Sequence, residues 1–191
     1  MPRVVCLGGG RAGSYGRLVV FDLDQGWRTE RLELEPLSVA HAAELGPVLD
    51  DTALHTFTGG APLARRLWPP ATPGWPHAAR PAPLWGNWVL RLRTTGAAVG
   101  TVQATLPAAG PAAGPAEIAW VIARPAQGHG YAKEAARSLA DGLQAAGWPV
   151  TAYIHPGHLA SQRVARAAGL VPAADVRDGE IRWASPPAAA P

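Results

Sequence analysis

The segment Ala116–Glu134, AEIAWVIARPAQGHGYAKE, constrains this chain more than any other. Its apolar run Ile118–Ala123 reads as a strand that stops at Arg124-Pro125, because proline donates nothing to a ladder and disfavours helix in the residue before it. Two glycines follow, Gly128 and Gly130, and a helical pattern opens at Tyr131. A strand that turns through glycines into a helix N-terminus makes an anion site. Free N–H groups converge there, and the helix dipole favours negative charge. Glycine also lets the backbone approach a phosphate closely. Taken alone, the segment predicts only that a phosphate-bearing ligand docks here.

The rest of the chain supplies a frame for that turn. Leu32–Leu34 alternates as a strand ended by Pro36, and Ser38 is placed to cap a helix running through Glu44 to Leu49. Asp51 to Leu84 is irregular and proline-rich, which in a compact domain marks a lid, a binding loop or a partly disordered stretch. Asn87–Arg93 and Val99–Leu106 read as a hairpin across Thr94-Thr95-Gly96, and Pro107–Pro115 as a soft connector. After the Ala116–Ala123 strand come a helix from Tyr131 to Ala146, a strand Val150–Ile154, a helix His158–Ala168 ended by Gly169, and a hairpin turning at Asp178-Gly179. This order is α+β, without internal repeats.

Composition narrows the function classes. The chain has 191 residues, enough for one domain with a sizeable core, and is 48% hydrophobic and 16% charged. The net charge of +3 does not point to nucleic acid: Lys133 is the only lysine, the arginines are scattered, and no basic run alternates with aromatics. Cys6 is the only cysteine, so no internal disulfide forms and a reducing cytoplasm is the expected location. No stretch approaches the ~20 apolar residues of a membrane span, and Val4–Leu7 is too short for a signal-peptide core. Gly8-x-Gly10-x-x-Gly13 matches a dinucleotide fingerprint, but that motif needs a helix at its last glycine, and Ser14-Tyr15-Gly16 breaks one. Residues 1–28 are therefore expected to form a glycine-rich hairpin or loose extension, with a domain over 29–184 and a Pro/Ala-rich tail over 185–191.

The spacing says more than the single turn. Gln127-x-x-Gly130-x-Ala132 resembles the acyl-CoA pyrophosphate loop of the GNAT superfamily, the acyl-CoA-dependent N-acyltransferases. Ile154-His-Pro-Gly-His-Leu-Ala-Ser161, continuing to Ala168-Gly169-Leu170, resembles that family's next strand and helix. Thr29-Glu-Arg-Leu-Glu-Leu-Glu-Pro-Leu37 resembles its first strand, especially in the branch that includes the ribosomal-protein alanine acetyltransferases. The resemblance spans Thr29 to Trp183 and keeps the family's order. It implies a mixed, mostly antiparallel central sheet flanked by helices and splayed between the strands near 116–123 and 150–154. It also implies acetyl-CoA as co-substrate and transfer of its acetyl group to a primary amine, on a protein N-terminus or a small molecule. A homodimer is left open. The rival reading is a CoA-binding sensor or assembly module without catalysis.

Acetylating an amine poses two proton problems. The amine is mostly protonated at neutral pH, with a reference pKa of about 10.4 for lysine and 7.7–8.0 for an α-amino group, and the leaving thiolate wants a proton. Glu117 is the candidate base: it opens the strand into the glycine turn between apolar neighbours, and partial burial suits a carboxylate to proton abstraction. The resemblance adds that histone-acetylating members carry their base at such a position, with a register one residue different from the one here. The alternative, a strand glutamate in a surface ion pair, stands beside it. The resemblance further implies that Val121 and Ile122 offer backbone to the pantetheine arm and thioester, and that Gln127, Gly128, His129, Gly130, Tyr131 and Ala132 cradle the pyrophosphate. It also places His158 where the family has asparagine, Ser161 at its serine, and Ala165 where a proton-donating tyrosine would fall. Ser161 and His158 thus become candidates for CoA contact and for the acid, unless water and the amine's own proton suffice, with a plain helix cap as the other role of His158. Trp120 is either an acceptor-pocket wall or core. Lys133 and Glu134 are expected in solvent, and the His155-x-x-His158 pair is too sparse for zinc.

Overall fold

The computed structural model describes residues 21–57 and 83–187. The Gly8–Gly13 motif, the tail end and most of the proline-rich loop, including Thr58-Gly59-Gly60, lie outside the described residues. Eight strands form one sheet in the order β1-β2-β3-β4-β5-β6-β8-β7. They are β1 (Trp27–Arg28), β2 (Leu32–Pro36), β3 (Leu84–Leu92), β4 (Ala98–Leu106), β5 (Ala116–Ile122), β6 (Val150–Ile154), β7 (Val171–Arg177) and β8 (Glu180–Ala184). Three α-helices accompany them among the described residues: α1 (Ala42–Leu49), α2 (Tyr131–Ala145) and α3 (Leu159–Ala167). Every neighbouring strand pair is antiparallel except β5 with β6.

Alternation along the strands separates two faces. Trp88, Leu90, Val102, Ala104, Ile118 and Ile122 point toward α2 and α3 and build the main core with Leu139, Leu143 and Val164. Val89 and Val121 point the other way and meet Leu45 and Leu49 of α1 in a smaller cluster. Helix α2 buries Ala135, Ala136, Leu139, Ala140 and Leu143, a stripe at helical spacing whose small residues let it lie close to the sheet. Phe21 and Trp27 join this core, stacking edge-to-face with each other at 5.9 Å and with Trp88 at 6.0 and 5.1 Å.

The expected elements recur with local differences. Ser38 does not begin one continuous helix. Its N–H donates to His41 Nδ1 at 2.9 Å, a 3-10 turn covers Val39–His41, and α1 starts only at Ala42. Strand β3 starts at Leu84, three residues before the expected Asn87, because its whole length finds a register on β4. In the described part of the N-terminal extension, Phe21–Leu23 is not a strand. Instead Trp27–Arg28 pairs with β2. Asp178 and Gly179 both take positive φ, 54° and 83°, the turn that suits a two-residue hairpin.

Candidate active site

Strands β5 and β6 pair through only two residue pairs, Ala116↔Val150 and Glu117↔Thr151. Beyond them the strands part, and among the described residues Ile118–Ile122 has no strand partner on that side. An exposed strand edge with unmet backbone groups is a place for another extended, amide-bearing chain to bond. A cleft of about 580 Å³ opens at the parting, a size that suits a small-molecule site. It reaches both faces of the sheet. Ile118, Trp120, His158, Ser161 and Val164 line it from the helix side, and Ala119, Tyr153, Leu54 and Phe57 from the side of α1.

The glycine turn closes one end of this cleft. Gly128 and Gly130 have φ of 80° and 83°, conformations that suit glycine, and Gly130 is the N-cap of α2. The turn is held from two directions. Gln127 Nε2 donates to the Ile122 carbonyl at 3.0 Å. Arg31 Nη1 donates to the His129 carbonyl at 2.8 Å, while its guanidinium lies over the Tyr131 ring at 5.0 Å. Glu134, in the first turn of α2, anchors Arg31 in turn. It accepts from Thr29 Oγ1 at 2.5 Å, from the Arg31 amide at 2.7 Å and from Arg31 Nε at 2.6 Å. Its side chain is only 14% exposed, so the solvated position expected for Glu134 is incorrect. Burial alone would raise its pKa. The hydrogen bonds from Thr29 and Arg31 outweigh burial and hold the carboxyl below its ordinary value.

At the other end, His158 caps α3, its Nδ1 accepting the Ser161 N–H over a long 3.5 Å. Phe57 stacks on the His158 ring at 4.6 Å and reaches His155 at 5.3 Å. Burial, and then the charge of His155, push the His158 pKa below its usual value, so the ring is neutral at physiological pH. With Nδ1 accepting, the proton sits on Nε2. Ala165, where a tyrosine would have stood, is fully buried in α3.

Most of the residues expected from sequence come together here. Val121, Ile122, Gln127, Gly128, Gly130, Tyr131, Ala132, His158 and Ser161 all line the one cleft. Trp120 lines it too while packing on the main core. His129 turns away: its Nδ1 lies 2.9 Å from the Gln127 carbonyl, its ring stacks on Tyr131 at 5.6 Å, and it borders a neighbouring hollow with Arg124 and Asp51. Glu117 is not among the lining residues. Its carboxylate faces the α1 side and accepts from Arg177 Nη2 through both oxygens, at 2.9 and 3.0 Å. Tyr153, Arg177 and Arg31 were not anticipated. Only the Thr29–Leu37 motif carried a signal for Arg31, and the other two had none.

Comparison with known proteins agrees with this architecture. Residues 31–171 match the family model described as an acetyltransferase (GNAT) domain. An acetyltransferase from Agrobacterium tumefaciens str. C58 superposes with a TM-score of 0.62 at 20% identity, covering 93% of this chain and all of the other. A candidate ribosomal-protein-serine acetyltransferase from Vibrio cholerae matches at 0.58 and 20%, over 86% of this chain and 99% of its own. The spermidine N-acetyltransferase of Vibrio cholerae, in complex with CoA and spermine, matches at 0.59 and 11%, over 82% and 94%. At these identities the likeness is one of fold. No match was found among curated protein sequences. With the family model spanning most of the sheet, the parted strands and the glycine turn, the chain belongs to the GNAT family of acetyltransferases.

Proposed function

We propose that this protein is an N-acetyltransferase that moves the acetyl group of acetyl-CoA directly to a primary amine. The observation that carries this reading is the meeting, in one cleft, of an unpaired strand edge with a glycine-bearing helix N-terminus. The turn Gln127–Ala132 offers amides and the positive end of α2 to a diphosphate. The open edge of β5, which brings Val121 and Ile122 to the cleft, offers backbone to an amide-containing arm, with the Ile122 carbonyl itself held by Gln127. Acetyl-CoA supplies the activated acyl thioester.

The residues then have the following tasks. Glu117 is our candidate to accept a proton from the acceptor ammonium, directly or through water, freeing the nitrogen lone pair. That nitrogen attacks the thioester carbonyl carbon. A C–N bond forms, the C–S bond breaks, and a second proton leaves nitrogen for sulfur. The Ser161 hydroxyl and the His158 Nε2–H, both lining the cleft, are our candidate donors to the leaving sulfur. A neutral imidazole stabilises sulfur by hydrogen bonding and relays the proton that nitrogen gives up. No tyrosine is needed for that relay, which answers the objection raised by Ala165.

The test is incubation with acetyl-CoA and an amine panel, followed by mass spectrometry for products heavier by one acetyl group. Turnover is expected, with Glu117→Gln lowering kcat/KM by about 10²- to 10⁴-fold, the range for loss of a general base. Gly130→Glu is expected to abolish acetyl-CoA binding. CoA binding without turnover on any amine would favour the non-catalytic module.

A further inference from the structure

Beside the α1-side mouth of the cleft, next to its wall residues Ala119 and Tyr153, stands a pair of opposite charges drawn from two strands that are not neighbours in the sheet. Arg177 stands on β7, the edge strand, next to the Asp178-Gly179 turn. Its guanidinium reaches over β8 and β6, lies 3.5 Å above the Tyr153 ring, and donates through Nη2 to both oxygens of Glu117 on β5. Tyr153 is itself a wall of the cleft. The neighbouring cation, Arg182, is already engaged with Asp175 at 2.6 Å. Of the five N–H groups of a guanidinium, those on Nε and Nη1 of Arg177 have no hydrogen bond among the described residues. The pair is partly open to water, with the Arg177 side chain 51% and that of Glu117 39% exposed.

An acceptor whose ammonium approaches Glu117 must therefore approach Arg177 as well. A purely cationic acceptor meets repulsion from the guanidinium. An acceptor that carries a carboxylate close to its amine meets complementary charge at both ends: its ammonium faces Glu117 and its carboxylate takes the free Nε and Nη1 fork. The planar fork is the side-chain geometry best matched to a carboxylate, and stacking on Tyr153 holds it flat. We infer that the acceptor is a small zwitterion of the amino-acid class, with Arg177 reading its carboxylate while Glu117 receives its ammonium. This rests on the acetyltransferase reading and on Glu117 marking the acceptor side of the cleft.

The experiment uses the full chain with acetyl-CoA and three acceptors of matched size: a free α-amino acid, its carboxamide, and an aliphatic diamine. Rates are corrected for the fraction of unprotonated amine. The expected result is a kcat/KM preference of about tenfold or more for the amino acid over the carboxamide, carried by KM, as complementary charge across a site gives. Arg177→Gln is expected to collapse that ratio toward one, and Arg177→Lys to restore part of it. Thermal melts and acetyl-CoA binding establish that each variant is folded. If Arg177→Gln fails to fold, the wild-type preference and the Arg177→Lys ratio decide. Preference for the diamine or carboxamide, or a ratio that Arg177→Gln leaves intact, overturns the acceptor assignment while the transferase reading stands. Acetyl-CoA binding with no turnover of any acceptor takes down both.

Discussion

His158 shows how one side chain is tuned by its surroundings. Phe57 covers its ring, α3 buries it, and His155 adds charge nearby, and together they disfavour the imidazolium. Its folded pKa is depressed below the usual 6.5. The sign follows from linkage: above the unfolded value both states are neutral and nothing is lost. As pH falls below it, the unfolded chain binds a proton that the folded one refuses, so stability drops until the folded pKa is passed. His158→Gln should flatten that part of the stability curve, and thermal melts from about pH 5 to 8 would check it. At this scale the sequence was legible where neighbours are local. The cap position of His158 and its three-residue spacing to Ser161 follow from the helix start. An ion pair was one of the two roles read for Glu117, and the structure shows one; that Arg177 would be its partner was not legible, because the two stand 60 residues apart and only the sheet order joins them.

Helix α2 could be read from its apolar spacing and from the glycines before it, and its observed start at Tyr131 agrees with that reading. What periodicity could not reveal is the clasp at its first turn. Glu134 looks solvent-facing on a helical wheel, yet it meets Arg31 at a separation of 103 residues. The segment Thr29–Arg31 thus acts as a brace for the anion turn before β2 begins. Glu134→Ala would leave the Thr29 hydroxyl and the Arg31 amide without their acceptor, at a cost of about 1–3 kcal/mol. It would also release Arg31 from the His129 carbonyl. Expected together are a lower Tm and weaker acetyl-CoA binding, measured by calorimetry, with the helix content of the circular dichroism spectrum retained.

For the whole molecule, the α+β class and the parting of β5 from β6 agree with the sequence reading. The order of strands at the sheet's N-terminal edge was hidden, since β1 is only two residues long and gives no alternation. Aromatic packing ties that edge to the body: Phe21 and Trp27 lie against Trp88, and Trp27 Nε1 donates to Ser138 of α2 at 2.8 Å. Phe21→Ala should cost about 1–3 kcal/mol, below the ~3–5 of a fully enclosed aromatic, and a urea midpoint would measure it. The split between β5 and β6 has a mechanical side as well. Two rungs join the half-sheet β1–β5 to the half-sheet β6, β8 and β7. A guest threaded between them would serve as a missing rung, so its arrival would splice the halves and its exit would leave them hinged at one end.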